Sequence, residues 1–138
     1  MKIIFMGTPD YAEAILQTLI DTSDMQVVAV YTQPDKPVGR KKVMASPPVK
    51  ILANENNIEV YQPNRLRDAE VLAELQKIEC DYIVVAAYGQ ILPQVILDHA
   101  PCINLHASIL PAYRGASPIQ QTLLNDDKTT GVTAMRMD

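Results

Sequence analysis

Asn104 and His106 stand two residues apart in the run Asn104-Leu105-His106-Ala107-Ser108-Ile109-Leu110-Pro111-Ala112-Tyr113-Arg114-Gly115, directly ahead of a turn. If Ile103 to His106 is a strand end, alternation sets the amide and the imidazole on one face. An amide N–H can donate to a developing oxyanion. An imidazole with an ordinary pKa of about 6.5 can assist that charge or shuttle a proton near neutrality. A single histidine at a strand end is more often structural, and the company of Asn104 is what makes it chemical. Together they suit a reaction in which a carbonyl becomes tetrahedral. The sequence has no Gly-x-Ser-x-Gly elbow to supply a nucleophile, so the attacking group would come from the substrate. Acyl transfer to an amine fits best.

Ser108 to Pro111 offers a hydroxyl and two aliphatic side chains on a rigid turn, a surface suited to a flat, partly polar ligand. Arg114 and Gly115 could fix an anion or cap a carbonyl. The same residues would serve equally in a hydrogen-bonded loop packed under a helix. Tyr88-Gly89-Gln90-Ile91-Leu92 offers backbone groups beside apolar walls, with Gly89 permitting close approach or a positive φ. Gly7-Thr8-Pro9 lies where nucleotide-binding folds carry a glycine-rich loop. It matches neither Gly-x-Gly-x-x-Gly nor a Walker A sequence, which disfavours a dinucleotide. No Cys, His, Asp or Glu cluster has metal-ligand spacing, so metal-free chemistry is expected.

These residues need strands and helices to bring them together. Lys2 to Met6 reads as a strand. After Gly7-Thr8-Pro9-Asp10 comes a helix with Ala12, Ile15, Leu16, Leu19 and Ile20 on one face. Val27 to Thr32 is a β-branched run suited to a parallel strand buried on both faces. Gln33 to Pro48, with four of the chain's ten prolines, lacks either period and reads as a long exposed loop. A short helix over Val49 to Asn56, a strand over Glu59 to Tyr61 and a helix over Asp68 to Lys77 follow. Strands are expected at Tyr82 to Ala86 and Cys102 to His106, with His99 on the surface of the connection between them. A helix over Pro118 to Leu124 and a strand over Val132 to Met137 complete the reading. Strands alternating with helices imply a mostly parallel sheet covered on both faces, with ligands beyond the carboxyl ends of its strands. The turns at Gly7, Tyr88 and Asn104 should therefore gather on one edge.

Composition agrees with a single α/β domain. The chain has 138 residues, 48% hydrophobic and 20% charged, and no apolar run approaches a bilayer span. Its N-terminus reads as a strand and not a signal peptide, and no membrane association is expected. Cys80 and Cys102 fit a reducing, cytoplasmic setting as buried small side chains. The net charge is -4, yet Gln33 to Lys50 carries five basic residues, Lys36, Arg40, Lys41, Lys42 and Lys50, against one acid, Asp35. One basic segment sits on an acidic body.

Met6-Gly7-Thr8-Pro9-Asp10-Tyr11-Ala12, Gln33-Pro34-Asp35-Lys36-Pro37, Ala87-Tyr88-Gly89-Gln90-Ile91-Leu92-Pro93 and Asn104 to Pro111 together resemble the methionyl-tRNA formyltransferase family. Tyr113 to Gln120 and Thr130 to Thr133 continue the match. The Asn-x-His-x-Ser-x-Leu-Pro core marks the wider folate-dependent formyltransferases, and Gly-Thr-Pro with the basic loop narrows it. The resemblance implies a Rossmann-like, mostly parallel sheet flanked by helices. It also implies transfer of a formyl group from 10-formyltetrahydrofolate to the α-amino group of methionine on initiator tRNA, with no metal. By the same resemblance Asn104 and His106 are catalytic. Ser108, Ile109, Leu110 and Pro111, with Tyr88, Gly89, Gln90, Ile91 and Leu92, bind folate, and Arg40, Lys41 and Lys42 meet the tRNA. An α-amino group with a pKa of about 7.7 to 8.0 loses its proton readily near neutral pH, so no strong base is required.

The family's third catalytic residue is an aspartate in a Gly-Leu-Asp-Thr-Gly-Asp-like segment, which would follow Asp138. Residues 1–138 are therefore expected to be the N-terminal part of the catalytic domain, cut after the sixth strand, without the C-terminal tRNA-binding domain. Such a chain is expected to be a monomer, and weak or inactive alone. Two alternatives remain open. One is a folate-dependent transformylase acting on a ribonucleotide or an amino sugar, for which Gly7-Thr8-Pro9 is a poor anion loop. The other is a non-catalytic RNA- or folate-binding module in which Asn104 and His106 are remnants.

Overall fold

The computed structural model describes residues 1–106 and 133–137. The elements run β1 (Lys2–Gly7), α1 (Asp10–Asp21), β2 (Gln26–Tyr31), β3 (Lys36–Val38), β4 (Val43–Ala45) and α2 (Pro48–Glu55). They continue with β5 (Glu59–Tyr61), α3 (Ala69–Gln76), β6 (Tyr82–Ala86), α4 (Gln94–His99), β7 (Cys102–His106) and β8 (Thr133–Met137). Six strands form one sheet in the order β5-β2-β1-β6-β7-β8, parallel except where β8 runs against β7. The expected helix over Pro118 to Leu124 lies outside the described residues.

Alternation along the strands divides the core in two. Ile3 and Phe5 of β1, Val84 and Ala86 of β6, and Ile103 and Leu105 of β7 pack with Ile15, Leu16 and Leu19 of α1 and with Val49, Leu52 and Ala53 of α2. Ile4, Met6, Ile83, Val85 and Cys102 face the other way, onto Leu75 of α3 and Ile96 of α4. Both faces of the central strands are covered, which is why β1, β2 and β6 read as continuous apolar runs with no alternation. A register shift at Ile3/Ile4 marks a bulge in the pairing of β1 with β2. Cys80 and Cys102 are free thiols, each pushed up to about 11, Cys80 by burial and then by Asp81, Cys102 by burial and then by Cys80. Both behave as inert packing groups.

Two expectations require correction. Gln33 to Pro48 is not a structureless loop: β3 and β4 pair antiparallel within it, Lys36 opposite Ala45 and Val38 opposite Val43. Three-residue strands are too short for a period to show in sequence, and Pro37 inside one of them argues against a strand there. His99 is not a free surface residue. It closes α4, half-buried, with its Nε2 2.8 Å from the Ile78 carbonyl. That helix of six residues is too short to display helical periodicity.

The hairpin is held at its foot. Asp35 accepts from Gln62 Nε2 at 2.7 Å and from Ser46 Oγ at 3.3 Å, and it pairs with Lys50 Nζ at 3.2 Å. The Gln62 amide foremost, then Lys50 and Ser46, hold the Asp35 carboxyl below its ordinary value. At the far end of the hairpin, Gly39 and Lys42 take φ values of 75° and 49°, closing the four-residue tip.

Two tests follow from this packing. A Cβ on Gly7 would lie 2.7 Å from the Ala86 carbonyl oxygen and 2.6 Å from Ala12 Cβ. Gly7→Ala is expected to cost about 1–3 kcal/mol in urea unfolding, as overpacking against rigid backbone does. Because its pKa is lowered on folding, Asp35 stabilises the fold above its ordinary value of 3.8, and that contribution disappears as pH falls through the lowered value. Asp35→Asn should flatten the acid limb of thermal stability below that pH while lowering stability modestly at pH 7.

Candidate active site

The five parallel strands all end at one edge of the sheet. From β1 the chain winds outward through β2 and β5, whereas β6 and β7 lie on the other side of β1. The order therefore reverses between β1 and β6, the place where open α/β sheets receive ligands. The segments leaving these two strands, Thr8-Pro9 and Ala87 to Pro93, border that point. Thr8 Oγ1 donates to the Tyr88 carbonyl at 2.9 Å across it and accepts from the Gln33 N–H at 3.4 Å. Thr8 thus braces the ends of β1 and β6 against one another.

The segment after β6 is the most constrained at this edge. Ala87 and Gly89 both take positive φ, 51° and 101°. A left-handed alanine costs on the order of 1 kcal/mol, which neighbouring contacts must offset. Gly89 uses both freedoms expected of it: the positive φ, and a close approach, since a Cβ there would sit 2.7 Å from Gln33 Nε2. The Tyr88 and Leu92 side chains turn inward and are buried among the residues of the α3 and α4 face. Burial pushes the Tyr88 phenol above its usual range, so it stays protonated. At Tyr88 the group left toward the edge is backbone. Ile91 is 92% exposed, and Gln90 is half-buried.

Asn104 and His106 end β7, with Asn104 paired to Val85 of β6 on one side and Met135 of β8 on the other. Asn104 has the alternation phase of Cys102, whose face is packed by α3 and α4 and also holds Tyr88 and Leu92. Asn104 is half-buried. Tyr11 of α1 donates its hydroxyl to the Leu105 carbonyl at 2.8 Å, fixing the strand between the two residues from the opposite face. The backbone thus sets Asn104 on the same side of the sheet as the β6 loop, and His106 is the last residue of the strand. Ser108, Ile109, Leu110 and Pro111 lie outside the described residues.

Between the segment after β5 and the β6 loop lies a cavity of about 490 Å³, lined by Gln33, Asn64, Arg65, Leu66, Arg67, Gly89, Gln90 and Ile91. Arg65 and Arg67 had no signal in the sequence beyond being charges in a loop, and only the fold brings them beside Gly89 to Ile91. Arg40, Lys41 and Lys42 sit together, exposed, at the hairpin tip, at the opposite end of the hairpin from the Asp35 foot. Lys50, by contrast, is drawn into its ion pair with Asp35. Among the described residues, no cluster of three or more His, Cys, Asp or Glu side chains could hold a metal ion.

Relatives place this architecture. The chain is 69% identical over 138 residues to a methionyl-tRNA formyltransferase of Sulfurimonas denitrificans, covering 100% of this chain and 46% of that protein. It is 63% identical over 137 residues to one from Sulfurovum sp., covering 99% and 45%. A Campylobacter jejuni methionyl-tRNA formyltransferase is 50% identical over 139 residues, covering 99% and 46%. The chain therefore spans about half the length of the curated relatives it matches. Among solved structures, a phosphoribosylglycinamide formyltransferase from Bacillus halodurans superposes with a TM-score of 0.61 at 21% identity, covering 100% of this chain and 72% of that one. Glycinamide ribonucleotide transformylase 1 from Symbiobacterium toebii gives 0.63 at 18% identity, covering 100% and 66%. At such identities these two speak for the fold alone. The family model described as formyl transferase matches residues 1–138, and the chain belongs to that family.

Proposed function

We propose that these residues form the first part of the catalytic domain of a methionyl-tRNA formyltransferase, which moves a formyl group from 10-formyltetrahydrofolate to the α-amino group of methionyl initiator tRNA. The observation that carries this reading is the place of Asn104 near the carboxyl end of β7, in the strand phase of Cys102, whose face also holds Tyr88 and Leu92 of the β6 loop. Relatives of that name at 50–69% identity support it. The donor supplies a carbonyl at the formate oxidation level, already activated for attack by an amine. Asn104 donates an amide N–H to the oxygen on which charge develops, and His106 assists that charge and relays the proton lost by the incoming amine to N10 of tetrahydrofolate, which departs as the bond from the formyl carbon to N10 breaks. The backbone of Gly89 to Ile91 receives the flat part of the donor, and the resemblance assigns Ser108 to Pro111 to the same ligand. Folate ends in carboxylates, and Arg65 and Arg67 at the adjoining cavity give that end complementary charge.

The hairpin supplies the acceptor side. Arg40, Lys41 and Lys42, on a ribbon projecting from an acidic body, suit phosphate contacts that position an RNA end over the edge. A ribonucleotide acceptor is a poorer fit, because its phosphate would need an anion loop after β1 and the Thr8 hydroxyl there is engaged by Tyr88 and Gln33. The remaining tRNA contacts and the catalytic aspartate expected from the resemblance are assigned to sequence beyond residue 138. A cytoplasmic monomer accords with this reading. Among the described residues, no helix is long and apolar enough to cross a membrane.

Formyl transfer measured on this chain and on a protein extended to the relatives' length tests the reading. Activity is expected in the extended protein, and Asn104→Ala there should lower kcat by about 10²- to 10³-fold, the usual loss of one oxyanion donor. Inactivity of the extended protein toward methionyl-tRNA, with formylation of a ribonucleotide in its place, would overturn it. Acceptor-stem RNA titrated at two salt concentrations should bind more weakly at the higher, and neutralising Arg40, Lys41 and Lys42 together should reduce both the affinity and the salt slope. Unaltered affinity in the neutralised variant would remove the hairpin from the acceptor site.

A further inference from the structure

The strained loop after β6 is tied to the foot of the basic hairpin by two glutamine side chains. Gln33 Nε2 donates to the Gly89 carbonyl at 3.3 Å. Gln90 Nε2 donates to Gln33 Oε1 at 2.8 Å and to the Pro63 carbonyl at 3.1 Å, while Gln90 Oε1 accepts from the Leu66 N–H at 2.7 Å. Gln33 is in turn fixed through its backbone, its N–H on Thr8 Oγ1 and its carbonyl accepting from Gln62 Nε2 at 3.2 Å. The same Gln62 amide donates to Asp35. One connected network therefore runs from Gly89 through Gln33 and Gln62 to Asp35, next to the first hairpin residue, Lys36. Nothing in a simple strand-end turn requires it. Thr8 alone already braces the loop at Tyr88.

We propose that Gln33 and Gln90 are positioning residues that hold the Ala87 to Leu92 loop and the hairpin foot in one shared arrangement, so that folate on the loop and RNA on the hairpin each bind more tightly when the other is present. This inference rests on the functional reading above and names the device that joins its two surfaces. Its basis is ordering. Whichever ligand arrives first immobilises the network, and the second no longer has to remove that freedom. The Ala87 strain gives the loop an incentive to relax, and the glutamine pair opposes it. Linkage requires the enhancement to be equal in both directions.

The test is a calorimetric titration of the protein extended to the relatives' length with 5-formyltetrahydrofolate, a stable isomer of the donor, alone and with a saturating acceptor-stem RNA hairpin. The same titrations are run on Gln33→Met, Gln90→Met, the double variant and Gln90→Glu. In the unaltered chain RNA should tighten the folate probe about five- to tenfold, the scale of one or two net hydrogen bonds. Either methionine variant should bring that factor close to one, and the double variant should lose no more than the greater single loss, since both remove one shared joint. Gln90→Glu keeps the acceptor for the Leu66 N–H but loses both donated bonds, and it should lose the coupling with the fold intact by circular dichroism. An enhancement retained in Gln33→Met and Gln90→Met, or absent from an unaltered chain that binds both probes, overturns the inference alone. Failure of the unaltered extended protein to bind either probe overturns the functional reading together with it. Should the methionine variants not fold, amide exchange in the unaltered chain decides: folate alone should slow exchange over residues 36–45, and unchanged exchange there is fatal to the proposal.

Discussion

The close approach of β1 and β6 at Gly7 and Ala86 is the constraint on which the carboxyl edge depends. With no side chain at residue 7, the two backbones and Ala12 of α1 meet within contact distance. The chain leaves β1 toward the face covered by α1 and α2. It leaves β6 toward the other, with Tyr88 plunging into the core beside α4. Departure to opposite faces is what opens a crevice at a switch in strand order. A bulkier residue at position 7 would push apart the strands whose ends define the site. The bond from Thr8 to Tyr88 then sets how far the crevice gapes.

The electrostatic layout divides the work between two regions. The body is acidic, and the basic side chains near its edge fall into two groups that are distant in the chain. Arg65 and Arg67 border the cavity beside the β6 loop, and Arg40, Lys41 and Lys42 occupy the hairpin tip. Lys50 belongs to neither group, because Asp35 neutralises it at the hairpin foot.

Sequence patterns revealed the frame of this molecule better than its joints. The parallel strands were legible because burial on both faces demands unbroken β-branched and aliphatic runs, as in Val27 to Tyr31 and Tyr82 to Ala86. The span of β7, Cys102 to His106, follows from its position between Pro101 and the polar run. The β3–β4 hairpin was hidden because its strands are three residues long and one of them contains Pro37. The Gln33–Gln90 pair was hidden for a different reason. The two are 57 residues apart, and an amide after a strand carries no local mark of its partner, which only the parallel order of β2, β1 and β6 brings near. The inward turn of Tyr88 and Leu92 was equally illegible, since an aromatic or a leucine in a loop can line a ligand or fill a core with the same letters.

The hairpin tip carries a second meaning. Val38, Val43 and Met44 leave more than half of their surface in water on a ribbon of only two strands. A flat, apolar ribbon of that kind invites edge-to-edge pairing with another copy of itself. Pro37 withholds a backbone donor, and the cations at the tip would face those of an approaching twin at close range. The same proline and cations therefore weigh against the edge-to-edge pairing of two such hairpins.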